Sequence, residues 1–201
     1  MKWVLRAALL RAPQRSEAWL DRLYARHSLQ AVPGATAVDL GSGSRPRNPF
    51  QAGTVRGADL EASAGVDACD LAGGCLPYPS NSIDCFTAFD VFEHIPRVWP
   101  MATDGRQSVA ITRFPFVGLM SGLHDALKPG GMVFAKYPAY PWAIAFQDPT
   151  HVNIMTEETM AAYFCGTSPW AHIYGFSGRF ELIDQGWVES HHVVLLSKPV
   201  G

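Results

Sequence analysis

Charge is scarce in this sequence, and closely spaced cysteine pairs are missing; both absences exclude functions. Charged residues make up 17% of the 201, with 16 basic against 18 acidic and a formal net charge of −2. No basic run marks a polyanion-binding face, so nucleic acid is not an expected partner. The four cysteines, Cys69, Cys75, Cys85 and Cys165, form no CxxC pair. That argues against a zinc ribbon or a dithiol redox motif and for reduced thiols in a cytoplasmic protein. No apolar stretch approaches the length of a transmembrane helix. A secretory signal is not expected either, because Arg6 interrupts the apolar start. Residues 2–12 read instead as an amphipathic helix, with Trp3, Leu5, Leu9 and Leu10 set among Arg6, Arg11 and Arg15. Such a helix packs on the domain or makes weak peripheral contact with a membrane surface. Internal repeats, low-complexity tracts and linkers are also lacking. With 48% apolar residues, the chain suits one domain over 1–201 built on a single core.

What is present is a regular alternation. A second helix is expected over 16–29, with Ser16 as N-cap and Trp19, Leu20, Leu23 and Tyr24 at helical spacing. Short apolar runs follow at 35–40, 55–60, 66–71, 83–89 and 132–137, each bounded by turn residues, and they read as buried parallel strands. A helix over 118–127 stops at Lys128-Pro129-Gly130-Gly131. Another opens at Thr156 with a start resembling a capping box. Residues 179–188 and 191–198 predict a closing antiparallel hairpin that turns near Ser190. Strands alternating with helices predict an α/β fold: a Rossmann-like three-layer sandwich on a mostly parallel, seven-stranded sheet with an antiparallel C-terminal hairpin strand. Residues 1–32 are N-terminal helices. Residues 97–116 (a long loop with at most one short helix) and 138–178 are substrate-side insertions.

The first strand ends in Val38-Asp39-Leu40-Gly41-Ser42-Gly43-Ser44. Glycines there permit a tight turn and a close ligand approach outside the carboxyl end of the strand. A dinucleotide site would place a third glycine at position 46, which is Pro46. Asp39 would also repel a pyrophosphate, whereas it suits a ligand that carries positive charge. S-adenosylmethionine, with its ammonium and sulfonium, fits that electrostatics better than NAD. Asp59, at the end of the second strand, can accept both hydroxyls of a ribose, with Glu61 as the neighbouring competitor.

These residues resemble the class I S-adenosylmethionine-dependent methyltransferases, and within them the methyltransferase type 11 group. Val38 to Gly43 resembles their glycine motif and Gly57-Ala58-Asp59-Leu60 their second-strand acidic motif. Asp70-Leu71 with Leu76-Pro77-Tyr78-Pro79 resembles the approach to the fourth strand. Asp90-Val91-Phe92-Glu93-His94-Ile95 and Leu127-Lys128-Pro129-Gly130-Gly131 resemble the two motifs that follow. The five blocks span about 35–137 in the family's order. The resemblance implies that Asp39, Gly41, Ser42 and Gly43 border the methionine moiety and that Asp59 and Leu60 hold the ribose. It implies that Asp70 and Leu71 flank the adenine, and that Asp90 to His94 lie beside the methyl group and the acceptor. Ser44-Arg45-Pro46 departs from the family's small continuation, and the span from His94 to Leu127 is longer than usual.

Two clusters can supply a base for methyl transfer to a hydroxyl. One is Glu93-His94. The other is Asp148 and His151 in Gln147-Asp148-Pro149-Thr150-His151-Val152-Asn153, close to Tyr137, Tyr140, Trp142 and Phe146. That stretch resembles an element of methyltransferases from glycan pathways. Asp148 and His151 alone do not make a metal site, so no metal is expected. The leading expectation is O-methylation of a small-molecule or glycan acceptor. A lipid-like or quinone acceptor, and an inactive methyltransferase-like binding module, are the alternatives.

Overall fold

The computed structural model describes residues 12–74, 76–101 and 111–201. The amphipathic helix expected over 2–12, with its membrane-surface contact, lies outside the described residues apart from Ala12. None of the described helices is long and apolar enough to cross a membrane.

The chain opens with β1 (Gln14–Arg15) and α1 (Glu17–Arg26), continues through β2 (Thr36–Leu40), β3 (Thr54–Asp59) and β4 (Val66–Ala68), and reaches β5 (Ile83–Phe89). A ribbon of β6 (Trp99–Met101) and β7 (Ile111–Arg113) precedes α2 (Pro115–Ala126) and β8 (Leu127–Pro138). Two short helices, α3 (Ile144–Gln147) and α4 (Thr159–Phe164), lead to the hairpin β9 (Glu181–Val188) and β10 (His191–Ser197). Three single 3-10 turns, Leu71–Gly73, Phe92–His94 and Trp170–Tyr174, punctuate the connections.

The main sheet runs β1-β9-β10-β8-β5-β2-β3-β4. All its pairings are parallel except the two that β10 makes, with β8 and with β9. This is the expected mixed sheet with one strand more. The eighth is Gln14–Arg15, which pairs beside Trp187 and Val188 because Pro13 offers its carbonyl to the Trp187 amide at 2.8 Å. Pro13 thus begins an edge strand as well as interrupting the helical pattern.

The sheet is covered on both faces. On one, Trp19, Leu20 and Leu23 of α1 pack against Ala37, Phe134, Val193 and Leu195. On the other, Phe116, Leu119, Met120 and Leu123 of α2 pack against Phe86, Val133, Ala135 and Leu196. Side chains on successive strand positions go to opposite faces, so Phe134 and Ala135 serve different layers.

Helices do not alternate with every strand as the pattern predicts. The β2–β3 connection is irregular, because Pro46 and Pro49 remove amide donors that a helix would need. Asn48 stands in for the missing helical bonds, clasping both the amide and the carbonyl of Ala52 at 2.9 Å. Phe50 then fills the space a helix would cover, edge-on to Tyr24 and Phe134 at 5.3 and 5.7 Å. The segment 97–116 also differs from expectation. Its described ends form an antiparallel ribbon, Trp99 opposite Arg113, rather than a loop with a helix.

Pro46, in the position of the third glycine, has a packing role. A Cβ on Gly57 would lie 2.1 Å from Ser42 Oγ and 2.9 Å from both Pro46 Cγ and Val66 Cγ2. The glycine loop is therefore laid directly on β3, and the pyrrolidine ring holds it there. Gly57→Ala should destabilise the fold by about 1–3 kcal/mol, the cost of overpacking a closed contact; urea unfolding of parent and variant measures it.

Candidate functional site

Parallel strands β2 to β5 all end at one edge of the sheet. The chain runs outward from β2 through β3 to β4, then returns to the other side of β2 as β5. Loops part at such a reversal and leave a crevice where ligands bind in open α/β sheets. Here it is a cleft of about 280 Å³ whose walls include Gly41, Asp59, Leu60, Asp70, Asp90 and His94. Cys69, Leu71, Ala72, Val91 and Ile95 also line it. The structure therefore brings together residues from four of the five sequence blocks. The fifth, Lys128 to Gly131, lies in β8, where Lys128 Nζ pairs with Asp84 at 2.8 Å.

Asp39 lies directly behind the glycine loop. It is only 2% exposed. One oxygen accepts from the Arg47 amide at 2.8 Å and the other from Thr87 Oγ1 at 2.7 Å. Burial raises its pKa, and those two hydrogen bonds partly oppose the rise. Its carboxylate braces the glycine loop from behind and reaches the cleft only through that loop. Gly41 takes φ +60° and Gly43 φ +55°, conformations that glycine adopts without a Cβ penalty. A Cβ on Gly41 would stand 2.5 Å from Val91 Cγ2. Ser42 donates to the Gly43 carbonyl at 3.0 Å.

Asp59 faces the same loop. Its Oδ2 accepts from the Gly43 amide at 2.8 Å and its Oδ1 from the Leu60 amide at 2.7 Å. Leu60 is 73% exposed, an apolar side chain left at the mouth of a polar cleft. Asp70 caps the Leu71–Gly73 turn, accepting from Ala72 N at 2.9 Å with one oxygen. Asp70 and Ala72 also line a neighbouring cavity of about 730 Å³, which is bounded by Trp99 and Thr112 of the ribbon and by Tyr174. Tyr174 lines a third cavity too, of about 420 Å³, with Phe114 and Tyr163.

Asp90 has φ +57°, a conformation costly for a residue with a Cβ and often retained at functional sites. His191 Nε2 lies 3.3 Å from its carboxylate. Burial acts to raise the Asp90 pKa, but the His191 bond and the nearby positive charges outweigh it, and the net shift is downward. His191 starts a strand 101 residues away, so nothing near Asp90 in the chain signals it. Thr87 and Arg47 escape sequence reasoning for a similar reason: each matters through a hydrogen bond to Asp39 that only the packed strands bring about.

The two expected base clusters are one cluster. Asn153 joins them: its amide donates to the Glu93 carbonyl and its side chain to the Phe92 carbonyl, both at 2.9 Å. Arg97 Nε holds the Asn153 side chain from outside at 2.7 Å. His94 and His151 then meet edge to face, with ring centroids 4.8 Å apart. Ligand-capable atoms of Glu93, His94 and His151 all lie within 4.8 Å of one another. Asp148 accepts from Thr150 twice, at 2.8 Å from its amide and 2.6 Å from its hydroxyl.

The aromatic surroundings divide. Tyr137 belongs to the core and bonds His192 Nδ1 at 3.0 Å, so it is not part of the loop's open face. Tyr140, Trp142 and Phe146 are exposed beside the cluster's loop. Burial pushes the Cys85 thiol far up and that of Cys165 up to about 12, which keeps both protonated.

The sheet order, the switch-point cleft and the antiparallel β10 define the fold of the class I S-adenosylmethionine-dependent methyltransferases. Solved structures of that fold superpose on this chain. A methyltransferase of Aquifex aeolicus described as S-adenosylmethionine-dependent gives a TM-score of 0.53 at 12% identity, over 89% of this chain and 88% of its own. The [4+2]-cyclase SpnF gives 0.56 at 16% identity, over 90% and 81%. The 1,6-didemethyltoxoflavin N1-methyltransferase of Burkholderia thailandensis, solved with its substrate and S-adenosylhomocysteine, gives 0.50 at 12%, over 90% and 78%. No known family's sequence pattern matches the chain, and no curated protein does. At these identities the likeness establishes the fold, and a cyclase within it illustrates that one fold hosts several chemistries.

Glu93 is 1% exposed, and both of its carboxylate oxygens lack a hydrogen-bond partner. Burial pushes its pKa up to about 8, with the charges of Asp90 and Asp148 adding to the rise. Between its ordinary value of 4.5 and about 8 the group is neutral when folded and ionised when unfolded. Stability therefore falls as pH rises through that window. In chelator-containing buffer, Glu93→Gln should melt roughly 3 °C or more above the parent at pH 8.5, about 1 kcal/mol for a chain of this size. The gap should close toward pH 5; a pH-independent gap would refute the assignment.

Proposed function

We propose that this protein is a methyltransferase that uses S-adenosylmethionine and transfers the methyl group to an oxygen of a small-molecule or glycan acceptor. The observation that carries the reading is the cleft at the β2/β5 reversal. It sets the Asp59 carboxylate, an exposed Leu60 and the carboxylate of Asp70 around the Gly41–Gly43 turn. That combination suits a nucleoside with a positively charged tail. Asp59 is placed to accept the ribose hydroxyls, exchanging its bond to the Gly43 amide for them. Leu60 and Leu71 give apolar surface to the adenine, and Asp70 accepts from its amine. The Gly41–Gly43 backbone borders the methionine moiety, with Ser42 in the turn and Asp39 acting through the loop it braces. Asp90 holds the methionine end of the cleft with His191 behind it.

The cofactor supplies an activated methyl group on a sulfonium. The chain's own task is to align an acceptor and remove its proton. His94 lies in the cleft wall, and His151, Asp148 and Glu93 stand immediately behind it, so a base is available where the acceptor approaches. The two larger cavities beyond Asp70 and Ala72 give the acceptor room. Exposed Trp142, Ile144 and Phe146 favour, as a second reading, an apolar acceptor such as a lipid-like or quinone molecule. A cytoplasmic setting accords with both.

Calorimetry with S-adenosylhomocysteine tests the cofactor assignment. Asp59→Ala should weaken binding about tenfold, roughly 1.5 kcal/mol for a lost charged hydrogen bond. A parent protein that binds neither S-adenosylmethionine nor S-adenosylhomocysteine would end the reading. In a screen of sugar, phenol and quinone acceptors, His151→Ala should keep cofactor affinity and lose turnover by roughly a hundredfold or more. Cofactor binding without turnover on any acceptor class would favour the binding-module alternative.

A further inference from the structure

Three groups able to ligate a metal converge beside the cleft, and among the described residues both oxygens of the buried one, Glu93, lack a hydrogen-bond partner. Thr150 has a single hydroxyl proton, and its 2.6 Å contact with the charged Asp148 takes it. Thr150 Oγ1 therefore accepts from His94 Nδ1, 3.0 Å away, so the His94 proton sits on Nδ1 and Nε2 carries a lone pair. His151 Nδ1 donates to the Ala145 carbonyl at 3.2 Å, which again leaves a lone pair on Nε2. Glu93 adds two buried oxygens without partners. His151 Nε2 also stands 4.0 Å from Asp148 Oδ2, and the unmet group of the three is the Glu93 carboxylate, whose burial without a partner is costly.

We propose that Glu93, His94 and His151 bind a divalent first-row transition ion of the zinc type, next to the methyl-transfer cleft. Two imidazoles and one carboxylate are the donor set such ions take; magnesium and calcium prefer all-oxygen shells. The ligand-capable atoms now lie within 4.8 Å of one another. Around a tetrahedral ion at about 2.0–2.1 Å they would stand about 3.4 Å apart, so the site closes by small side-chain rotations. The outer contacts are those a metal site requires. Each imidazole is held through its other nitrogen, one by a carbonyl and one by the Thr150–Asp148 relay, and both tautomers are thereby set. Asn153 fixes the spacing between the Phe92–His94 turn and the His151 loop. Three protein ligands leave the fourth position open, the pattern of a catalytic rather than a structural ion.

The role of the ion rests on the methyltransferase reading above. An acceptor hydroxyl entering the open position is acidified and releases its proton to solvent. An oxygen lone pair then forms the O–CH3 bond as the C–S bond breaks, and that electron pair stays on sulfur, which leaves the cofactor as a neutral thioether. His94 and His151 are ligands in this scheme, and the ion takes the place of a protein base.

Untagged protein, stripped with a chelator, is titrated with Zn2+ by calorimetry and with Co2+ by visible absorption. One equivalent of each should bind, with cobalt d–d bands of a low-coordinate nitrogen and oxygen site. Glu93→Gln and His151→Ala should each weaken Zn2+ by at least about a hundredfold. Thr150→Val, which removes an outer contact, should weaken it roughly ten- to a hundredfold. S-adenosylhomocysteine affinity should hold in all three variants, which also reports that they fold. Absence of one-equivalent metal binding in protein that binds S-adenosylhomocysteine overturns the site, and parent-like Zn2+ affinity in both ligand variants overturns its assignment. Zinc binding with no S-adenosylhomocysteine binding leaves the site standing and removes the cofactor reading. Turnover unaffected by the chelator overturns the role given to the ion.

Discussion

The buried carboxylate of Asp39 is the constraint on which the cleft depends. It lies on the central strand of the parallel half of the sheet, between β3 and β5, and has no access to water. Its two hydrogen bonds reach in different directions: to Thr87 on the adjoining strand, and to the Arg47 amide at the far end of the glycine loop. A buried polar group of this kind demands partners. Meeting that demand draws 41–47 into a loop laid across the strand end, where a helix start would otherwise stand. The Arg47 guanidinium then settles over the Phe89 ring at 4.5 Å, and Pro46 presses on Gly57. Gly41 and Gly43 are consequences of the same geometry, because the loop has to turn back under Val91.

From that loop the rest of the edge takes its order. The Gly43 amide is offered to Asp59, Val91 is held over Gly41, and Asp90 is forced into a left-handed conformation where His191 can reach it. Beyond Asp90, the Phe92–His94 turn buries Glu93 instead of exposing it, since Phe92 is wholly buried and edge-on to Phe116 in the core. The cost of a buried, unpartnered carboxylate thus falls beside the residues that line the cleft. Burial of an ionisable group beside a cleft is a pattern common at functional sites.

Much of the frame was legible in the residues. Ile83–Phe89 matches its predicted strand end for end, and the other runs miss by a few residues, because a short apolar segment between turn residues has little choice but a buried strand. Of the cleft residues, Gly41 and Asp59 were also legible, since each sits at a strand end and strand ends of a parallel sheet share one edge, while Asp70 and Asp90 came from the resemblance to the methyltransferases. The missing helix after β2 was not. Alternation predicts it, and Pro46, Pro49 and Phe50 override it through packing. Tyr137 reads as part of an aromatic loop by its neighbours in the chain, but the strand carries it into the core against His192.

By itself, then, the sequence determined the layers and the strand ends, with Gly41 and Asp59 at two of them, because these follow from hydrophobic periodicity and local turn chemistry. The tertiary structure alone decided that Asp39 is buried between Thr87 and the Arg47 amide, that His191 stands behind Asp90, and that Glu93, His94 and His151 share one place. Most of those contacts join residues about 50 to 100 positions apart in the chain. They depend on which lone pairs and protons find partners once the strands are packed, and no local pattern carries that information.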